Sequence, residues 1–545
     1  MENTLIYRKI LLAFFLLLIN IVYINLSYGN VTSLTTVTNL GLTSPGEVNS
    51  LLPVVNNNSL SDGQIYTLMF RPLLWVGTNI KINWKKSIAK SIHISKNRKV
   101  FTIYLKQWQW SDGRPVTAED ALACLDLLQR LGLRNQNRGI GGMPENIKKI
   151  IKINSRSFKL ILKHPVNPKL FELNGLSQII PIPNWAWKRY SVDELITHQD
   201  DPNMVAIVDG PYKLVHFSIG RKICFIRNAN YSGTRPNLVH ICFKMYSSDS
   251  GAFWALRRGV IQAGNLPHYL YDARSMVKNL KSCVTNGGYG INYIALNFTN
   301  PKVNFLKNVK IRQALALAIN QEQIIKIAYH GLGVPSFNPV PTMPDTYLSP
   351  YMKQLSMHPM MAYDPLKAKH LLIKAGCHYK AQNDILTYHG KQIKLTMLVP
   401  SGSETSIMIA ELVKYYWSKI GVNIRLRLIT SNLEFSKLHP YGKWEAAIMS
   451  WVYEPDYYPS GEGLFNSDGG SNYGDYNNQS MDEIIKNVAI HKNLKFLYKY
   501  ERIANIEQPV IFLPYPKYLV KYLPKITHKQ LVEGIYSVSC ERHIS

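Results

Sequence analysis

Residues 110–131 read WSDGRPVTAEDALACLDLLQRL, and this stretch follows the pattern of a turn, a helix cap and a helix. Asp112-Gly113 is a typical turn pair, and Thr117 followed by Asp120 resembles a capping box with Asp in place of the commoner Glu. The apolar residues after the cap recur at helical spacing and predict one buried helix face. They are Ala118, Ala121, Leu122, Leu125 and Leu128. Nothing in this pattern is catalytic, so the stretch predicts a scaffold rather than a site.

The segments on either side of this helix predict mixed α and β structure. VFTIYL (100–105) alternates like a half-buried strand, and SFKLILKHP (157–165) predicts a strand that stops at a proline. Further along, residues 209–248 form a run of strand-like segments with turns at Gly220 and around Gly233. This run predicts antiparallel strands.

Helices and strands alternate in the second half of the chain. Asn308 predicts the start of one helix, and Gly331 lies just past its end. Asp364, Pro365 and Gly376 predict the cap, the first residue and the terminator of a second helix. A third helix ends at Gly421 and is followed by strands at 422–429 and 444–451. The alternation predicts an α/β lobe with a partly parallel sheet.

The bulk composition fits a globular protein and argues against a nucleic-acid partner. The chain has 545 residues, of which 46% are hydrophobic and 18% charged, which is enough for two or three domains. Its formal net charge is +28, but the Lys and Arg residues are spread along the chain without a basic block. We therefore expect no nucleic-acid binding.

The N-terminus resembles a secretory signal peptide, residues 1–29. A basic pair precedes the apolar run Ile10–Leu26, and small residues follow as far as Gly29, where cleavage is expected. The alternative is an uncleaved anchor, but the run is slightly short for a spanning helix and is interrupted by two asparagines. The first cysteine is Cys124, so no lipid-anchor Cys lies near the cleavage point. These features predict a soluble mature protein in the periplasm.

The six cysteines predict no metal site, because none forms a CxxC pair and no His lies at ligand spacing from them. Cys224 and Cys242 lie on two predicted strands and are equally distant in sequence from Gly233. A disulfide between them is possible in an oxidising compartment. The alternative is a pair of small apolar strand residues.

Catalytic patterns are absent from the sequence. It contains no GxSxG, no HExxH, no Cys-His constellation and no Gly-rich loop in the strand-loop-helix order that binds phosphate. We therefore expect neither an enzyme nor a cofactor, although a hydrolase site built from two distant carboxylates would leave no such pattern.

Several stretches of this chain occur in a recognisable order. They are WSDGRPVTAEDA (110–121), residues 209–245 with their Asn-x-Asn-Tyr before the glycine turn, NYIALNFTN (292–300), residues 309–325 with Arg312, YDPLKAKHLLIKAG (363–376), WSKIGVNIRLRL (417–428) and GSNYGDYNN (470–478). Together they resemble family 5 extracellular solute-binding proteins, the substrate-capturing subunits of peptide and nickel ABC importers. The similarity spans nearly the whole mature chain.

The resemblance implies an α/β fold of the two-lobed periplasmic binding protein type, with a hinge and an extra inserted domain. The chain would cross between lobes near Gly290 and return near Pro514. The expected domains are a signal peptide at 1–29, lobe I at 30–66 with 205–290 and 515–545, an inserted α+β domain at 67–204, and lobe II at 291–514.

The resemblance also implies a function and partners. We expect a monomer that captures peptides, oligopeptides in particular, in the cleft between the lobes and delivers them to an inner-membrane ABC transporter permease. Two alternatives share the fold: a protein that binds a non-peptide ligand such as a metal chelate, and a periplasmic chaperone or chemoreceptor adaptor.

In peptide-binding relatives, an acidic residue shortly after a Trp holds the amino group of the ligand. The matching stretch here, residues 450–465, offers Glu454 and Asp456, but its spacing departs from the family pattern and leaves the choice open. Trp451 and Tyr453 could supply aromatic walls. The alternative is that the two carboxylates belong to a solvated turn.

A second departure concerns the ligand's carboxylate. Dipeptide-specific relatives commonly place an Arg after the strand that matches LTMLVPSGSETS (395–406), whereas this chain has Ser401, Ser403 and Glu404 there. A short peptide gripped at its carboxylate is therefore not expected. A longer peptide held through its backbone remains compatible with the sequence.

Overall fold

The fold is known for most of the chain from a computed structural model. The described residues are 37–42, 48, 50–54, 60–77, 80–132, 140–236, 238–285, 289–358, 362–380, 385–430, 442–453, 457–524 and 540–544. The predicted signal peptide, Glu454 and Asp456 lie outside them. Within these ranges, no helix is long and apolar enough to span a membrane.

The strands form sheets in both halves of the chain. In chain order they are β1 Val37–Leu42, β2 Ala89–Ile94, β3 Val100–Leu105, β4 Ile147–Asn154, β5 Ser157–Leu162, β6 Tyr212–Ser218, β7 Lys222–Arg227, β8 His240–Met245, β9 Ala263–Leu266, β10 Lys281–Thr285, β11 Gly290–Leu296, β12 Gly333–Val334, β13 Cys377–Tyr379, β14 Leu386–Tyr388, β15 Lys391–Gln392, β16 Lys394–Pro400, β17 Asn423–Ile429, β18 Ala446–Val452, β19 Ile511–Leu513, β20 Tyr515–Pro516, β21 Leu519–Tyr522 and β22 Cys540–Ile544.

The α-helices cover the sheets and join their strands. They are α1 Leu60–Met69, α2 Ala118–Leu131, α3 Pro168–Leu170, α4 Asn184–Trp187, α5 Val192–Thr197, α6 Asp249–Arg257, α7 Val309–Leu317, α8 Gln321–Ala328, α9 Pro350–Met357, α10 Pro365–Lys374, α11 Glu404–Ser418, α12 Gln479–Ile490 and α13 Lys495–Glu507. Short 3-10 segments, such as 268–276, and one π-helical turn at 171–175 complete the connections.

Three sheets carry the architecture. An eight-stranded sheet has the order β22-β10-β21-β9-β1-β8-β7-β6, and a five-stranded sheet has the order β17-β16-β18-β11-β19. The chain leaves the first sheet at Thr285 and enters the second at Gly290, then leaves it at Leu513 and returns at Leu519. A separate antiparallel sheet, β2-β3-β5-β4, packs with α2. The chain therefore passes twice between the two large sheets.

The stretch at 110–131 folds as its local signals predict. The backbone N–H of Thr117 donates to the Asp120 carboxylate at 2.8 Å, and the Thr117 hydroxyl lies 3.1 Å from the same oxygen. The indole N–H of the fully buried Trp110 reaches that carboxylate at 3.4 Å. Burial raises the pKa of Asp120, and these hydrogen bonds oppose the rise. The turn is exposed, while the Asp120 carboxylate beneath it is buried and has hydrogen-bond partners, so the corner is a scaffold.

The single helix predicted between Asn308 and Gly331 is wrong in one respect, because the structure breaks it in two. Helix α7 ends at Leu317, and α8 starts at Gln321. The side chain of Asn320 accepts the backbone N–H of Gln323 at 3.0 Å. An Asn in an extended conformation is a strong cap, so it starts a new helix where apolar periodicity alone predicts continuity.

Strands β6, β7 and β8 form the antiparallel run predicted at residues 209–248. Cys224 and Cys242 are directly opposite each other in the register of β7 and β8, with Cα atoms 4.1 Å apart. In the structure they form a disulfide. The loop that this bond closes contains Gly233, between the two strands.

Candidate functional site

In both large sheets, the carboxyl ends of several strands lie at the edge from which the connections to the other sheet leave. In the eight-stranded sheet, β8 and β9 both run parallel to β1, and β21 runs antiparallel to β9 and β10. The carboxyl ends of β8, β9 and β10 therefore share one edge. In the five-stranded sheet, β16 and β18 are parallel, while β11 is antiparallel to β18 and β19. The carboxyl ends of β16, β18 and β19 share the edge where β11 begins, and ligands of α/β proteins bind at such edges.

Trp451 and Tyr453, at the end of β18, lie at this edge but in different surroundings. Tyr453 is 2% exposed, and its hydroxyl donates to the carbonyl of Pro339 at 2.7 Å. Trp451 is only partly buried, and its indole nitrogen has no hydrogen-bond partner among the described residues. Both rings contact Tyr457, at centroid distances of 5.1 Å for Tyr453 and 6.2 Å for Trp451. In this structure the accessible member of the predicted aromatic pair is Trp451.

The segment after β16 supplies a carboxylate to the same edge. Ser403 caps α11 by accepting the backbone N–H of Ser406 at 3.2 Å, and Glu404 is the first residue of that helix. One carboxylate oxygen of Glu404 is buried and has no hydrogen-bond partner among the described residues. Residues 400–413 contain no Lys or Arg. This segment therefore offers a carboxylate and no cationic side chain for the carboxylate of a ligand.

A second carboxylate comes from the edge of the eight-stranded sheet. Asp249 is the first residue of α6, which follows β8, and it is only partly exposed. Its neighbour Ser250 shares a hydrogen bond with the hydroxyl of Tyr269, in the segment that follows β9. Burial, and secondly the negative charge of Glu404, raise the pKa of Asp249 to about 7. Asp249 and Glu404 follow strands of different sheets, and their carboxylates are close enough to interact electrostatically.

The Asp249 and Glu404 carboxylates form an electrostatic site suited to a cation. Two like charges in a partly desolvated place repel, and an amine or guanidinium between them would relieve the repulsion and donate hydrogen bonds to both. Within the described ranges, neither carboxylate has an ion-pair partner. Sequence reasoning noted Glu404 but missed Asp249. The available signal was its place as a carboxylate directly after the cap Ser248 and strand β8.

The described residues hold no group of three or more His, Cys, Asp or Glu side chains that could bind a metal ion. The polar groups at the strand ends are instead carboxylates and hydroxyls. Such groups can form ion pairs and hydrogen bonds with a cationic ligand.

The family model for "Bacterial extracellular solute-binding proteins, family 5 Middle" matches residues 83–474, more than half of the chain. The chain belongs to family 5 of the bacterial extracellular solute-binding proteins. This confirms the resemblance drawn from the sequence and the expected two-lobed α/β fold. Family 5 proteins are the substrate-binding proteins of ABC importers and work outside the cytoplasmic membrane.

Individual relatives agree with this assignment. The chain is 24% identical over 485 residues to the "Oligopeptide-binding protein AppA" of Bacillus subtilis, covering 87% of this chain and 84% of AppA. The structure of that AppA in complex with a nonapeptide has a TM-score of 0.76 at 20% identity and covers 93% of this chain and 99% of AppA. The structure of NikZ from Campylobacter jejuni in complex with Ni(L-His) has a TM-score of 0.77 at 20% identity and covers 93% of this chain and 100% of NikZ. These family 5 relatives are transport proteins rather than enzymes.

Proposed function

We propose that this protein captures peptides, oligopeptides in particular, between its two lobes and delivers them to an inner-membrane ABC permease. The observation that carries the proposal is the pair of carboxylates Asp249 and Glu404, which start helices after strands of different sheets and interact electrostatically. A peptide brings an amino terminus and cationic side chains to such a place, and its backbone supplies hydrogen bonds. The similarity to AppA, which binds a nonapeptide, supports this ligand class.

Within this proposal, the residues predicted from the sequence keep their roles. Glu454 or Asp456 pairs with the amino group of the ligand, and Trp451 packs against the ligand as an aromatic wall. The protein works in the periplasm as a monomer, after export through residues 1–29.

Native mass spectrometry of the purified protein tests the ligand class. We expect bound oligopeptides, which denaturation releases and tandem mass spectrometry sequences. For protein without bound ligand, a peptide pool should reduce the radius of gyration in small-angle scattering, because binding closes the lobes. A retained nickel chelate would replace the peptide proposal. Steady loss of the added peptides would indicate a hydrolase, and binding without compaction would indicate a chaperone or adaptor.

The pKa of Asp249 predicts how peptide affinity depends on pH. The pKa of Asp249 is about 7, so at a pH below this value its carboxyl group is mostly protonated and neutral and no longer attracts a cation. If a Lys or Arg side chain of the ligand, which stays charged over this range, binds the ionised form, affinity for a retained oligopeptide should fall about tenfold between pH 8 and pH 6, as calorimetry would measure. Asp249→Asn should remove this dependence, whereas Asp126→Asn, at an exposed site on α2, should leave it unchanged.

A further inference from the structure

A polar contact joins the inserted part of the chain to the loop that follows β18. We call this contact the latch and define it by Gly141, Asn174, Tyr458, Ser460 and Glu462. The first two residues lie in the segment 140–178, and the last three lie in the five-stranded lobe more than 280 positions further along the chain. The latch therefore connects the segment 140–178 to the five-stranded lobe.

Asn174 forms one half of the latch. Its Oδ1 accepts the backbone N–H of Tyr458 at 2.5 Å, and its Nδ2 donates to the carbonyl of the same residue at 2.9 Å. The Nδ2 also lies 3.3 Å from the Ser460 hydroxyl. Asn174 is 1% exposed, so its amide binds one residue of the loop as a neighbouring strand would.

Glu462 forms the other half. Its Oε2 accepts the backbone N–H of Gly141 and the hydroxyl of Ser460, each at 2.9 Å. Burial raises the pKa of Glu462, and the hydrogen bonds from Gly141, Ser460 and Asn174 oppose the rise. The carboxylate thus depends on partners from the other side of the contact.

Close backbone packing couples the two halves. Gly141 has φ +64°, and a Cβ built there would lie 2.6 Å from the carbonyl carbon of Asn174. Only glycine fits this approach without displacing the turn that presents Asn174. Apolar residues lie beneath: Leu170 and Leu173 are buried in the core of the five-stranded lobe, while Phe171 belongs to the other core.

We propose that Asn174 and Glu462 are positioning residues whose hydrogen bonds favour the closed state of the lobes without contacting the ligand. When the lobes separate, the loop 457–463 loses Gly141 and Asn174 as partners, so each hydrogen bond between the loop and these two residues favours the closed state. The loop starts one residue after Asp456, so the latch also fixes one end of the segment proposed to bind the ligand's amine. The inference does not depend on whether the ligand is a peptide.

Hydrogen–deuterium exchange on protein stripped of retained ligand tests the latch. In Glu462→Leu, which removes the acceptor, and in Asn174→Asp, which sets a carboxylate against the Tyr458 carbonyl and Glu462, the amides of Gly141 and Tyr458 should exchange roughly tenfold faster or more. Glu462→Gln is the matched control, because it keeps an acceptor oxygen and should resemble the wild type. The Asn167 amide, which donates to the Ala489 carbonyl at 2.7 Å outside the latch, reports separation of the lobes.

Each outcome decides the proposal. Faster exchange at Gly141, Tyr458 and Asn167, with a larger radius of gyration and unchanged exchange in β3 and β16, supports a latch that sets the lobe equilibrium. Faster exchange at Gly141 and Tyr458 alone overturns it, because the lobes would stay together without these bonds. Exchange that rises throughout the chain also overturns it and assigns the residues a purely structural role. If Asn174→Asp does not fold, the two Glu462 variants decide the question.

Discussion

Replacing Arg312 by Met is expected to lower the free energy of unfolding by about 3–5 kcal/mol, the scale for one partner removed from a buried ion pair. Arg312 is 3% exposed, and its NH2 nitrogen lies 3.3 Å from the Glu507 carboxylate. Its guanidinium also donates to four backbone carbonyls, which lie between 2.8 and 3.0 Å away. They belong to Leu306, Lys307, Glu507 and Gln508.

The size of this effect follows from what Met leaves behind. Two of these carbonyls end the 3-10 segment before α7, and the other two end α13. One guanidinium donates hydrogen bonds to both pairs, which have no partner within their own helices. Met fills much of the volume but donates no hydrogen bond, so the carbonyls and the Glu507 carboxylate lose their partner. The loss would weaken the packing of α7, near the start of the five-stranded lobe, against the end of α13, near its end.

Guanidinium chloride unfolding of the ligand-free protein measures this change. Arg312→Lys should recover only part of the loss, because a single ammonium cannot reach two carbonyl pairs in a fixed geometry. Lys310→Met, on the exposed side of the same helix, is the control and should change stability by less than about 0.5 kcal/mol. An Arg312→Met protein as stable as this control would show that the carbonyls find other partners.

The features that were predictable from the sequence are those that depend on a few neighbouring residues. Asp364, for example, caps α10 by accepting the Lys367 N–H at 2.8 Å, and Gly376 ends the helix region at φ +89°. The break between α7 and α8 depends equally on local chemistry, but the apolar repeat masked the cap at Asn320. The sequence therefore predicts helix boundaries correctly where the capping residues and the apolar periodicity agree.

The parts of the site that escaped prediction depend on contacts between distant segments. Asp249 and Glu404 come from different sheets, and each alone is an ordinary carboxylate at a helix start. Asn174 meets Tyr458 across 284 positions, on a π-helical turn that has no clear sequence pattern. The buried position of Tyr453 depends on the Pro339 carbonyl in another loop. No residue spacing encodes such contacts, because the tertiary fold brings these segments together.

Glu454→Gln or Asp456→Asn is expected to weaken binding of an amine-bearing ligand by about 2–4 kcal/mol, or about 30- to 900-fold in Kd. Both residues lie outside the described residues, so the expectation rests on their position in the chain. They follow β18, whose last residue pairs with Gly290 at the start of β11, where the chain enters the lobe. The flanking residues Tyr453 and Tyr457 place both ends of the segment at the edge that Glu404 shares.

Calorimetry with a retained oligopeptide and its N-acetylated form distinguishes the two residues. Acetylation removes the positive charge of the peptide's amino terminus. The variant in which the amine-binding residue is replaced should therefore no longer prefer the free peptide over the acetylated one. The other residue, if it belongs to the turn, should behave like the exposed control Glu483→Gln. If neither substitution alters the preference, this segment does not hold the amine. In that case, loss of the preference for the free amine in Asp249→Asn or Glu404→Gln would assign amine binding to the Asp249 and Glu404 carboxylates. Trp451 would then contact another part of the ligand.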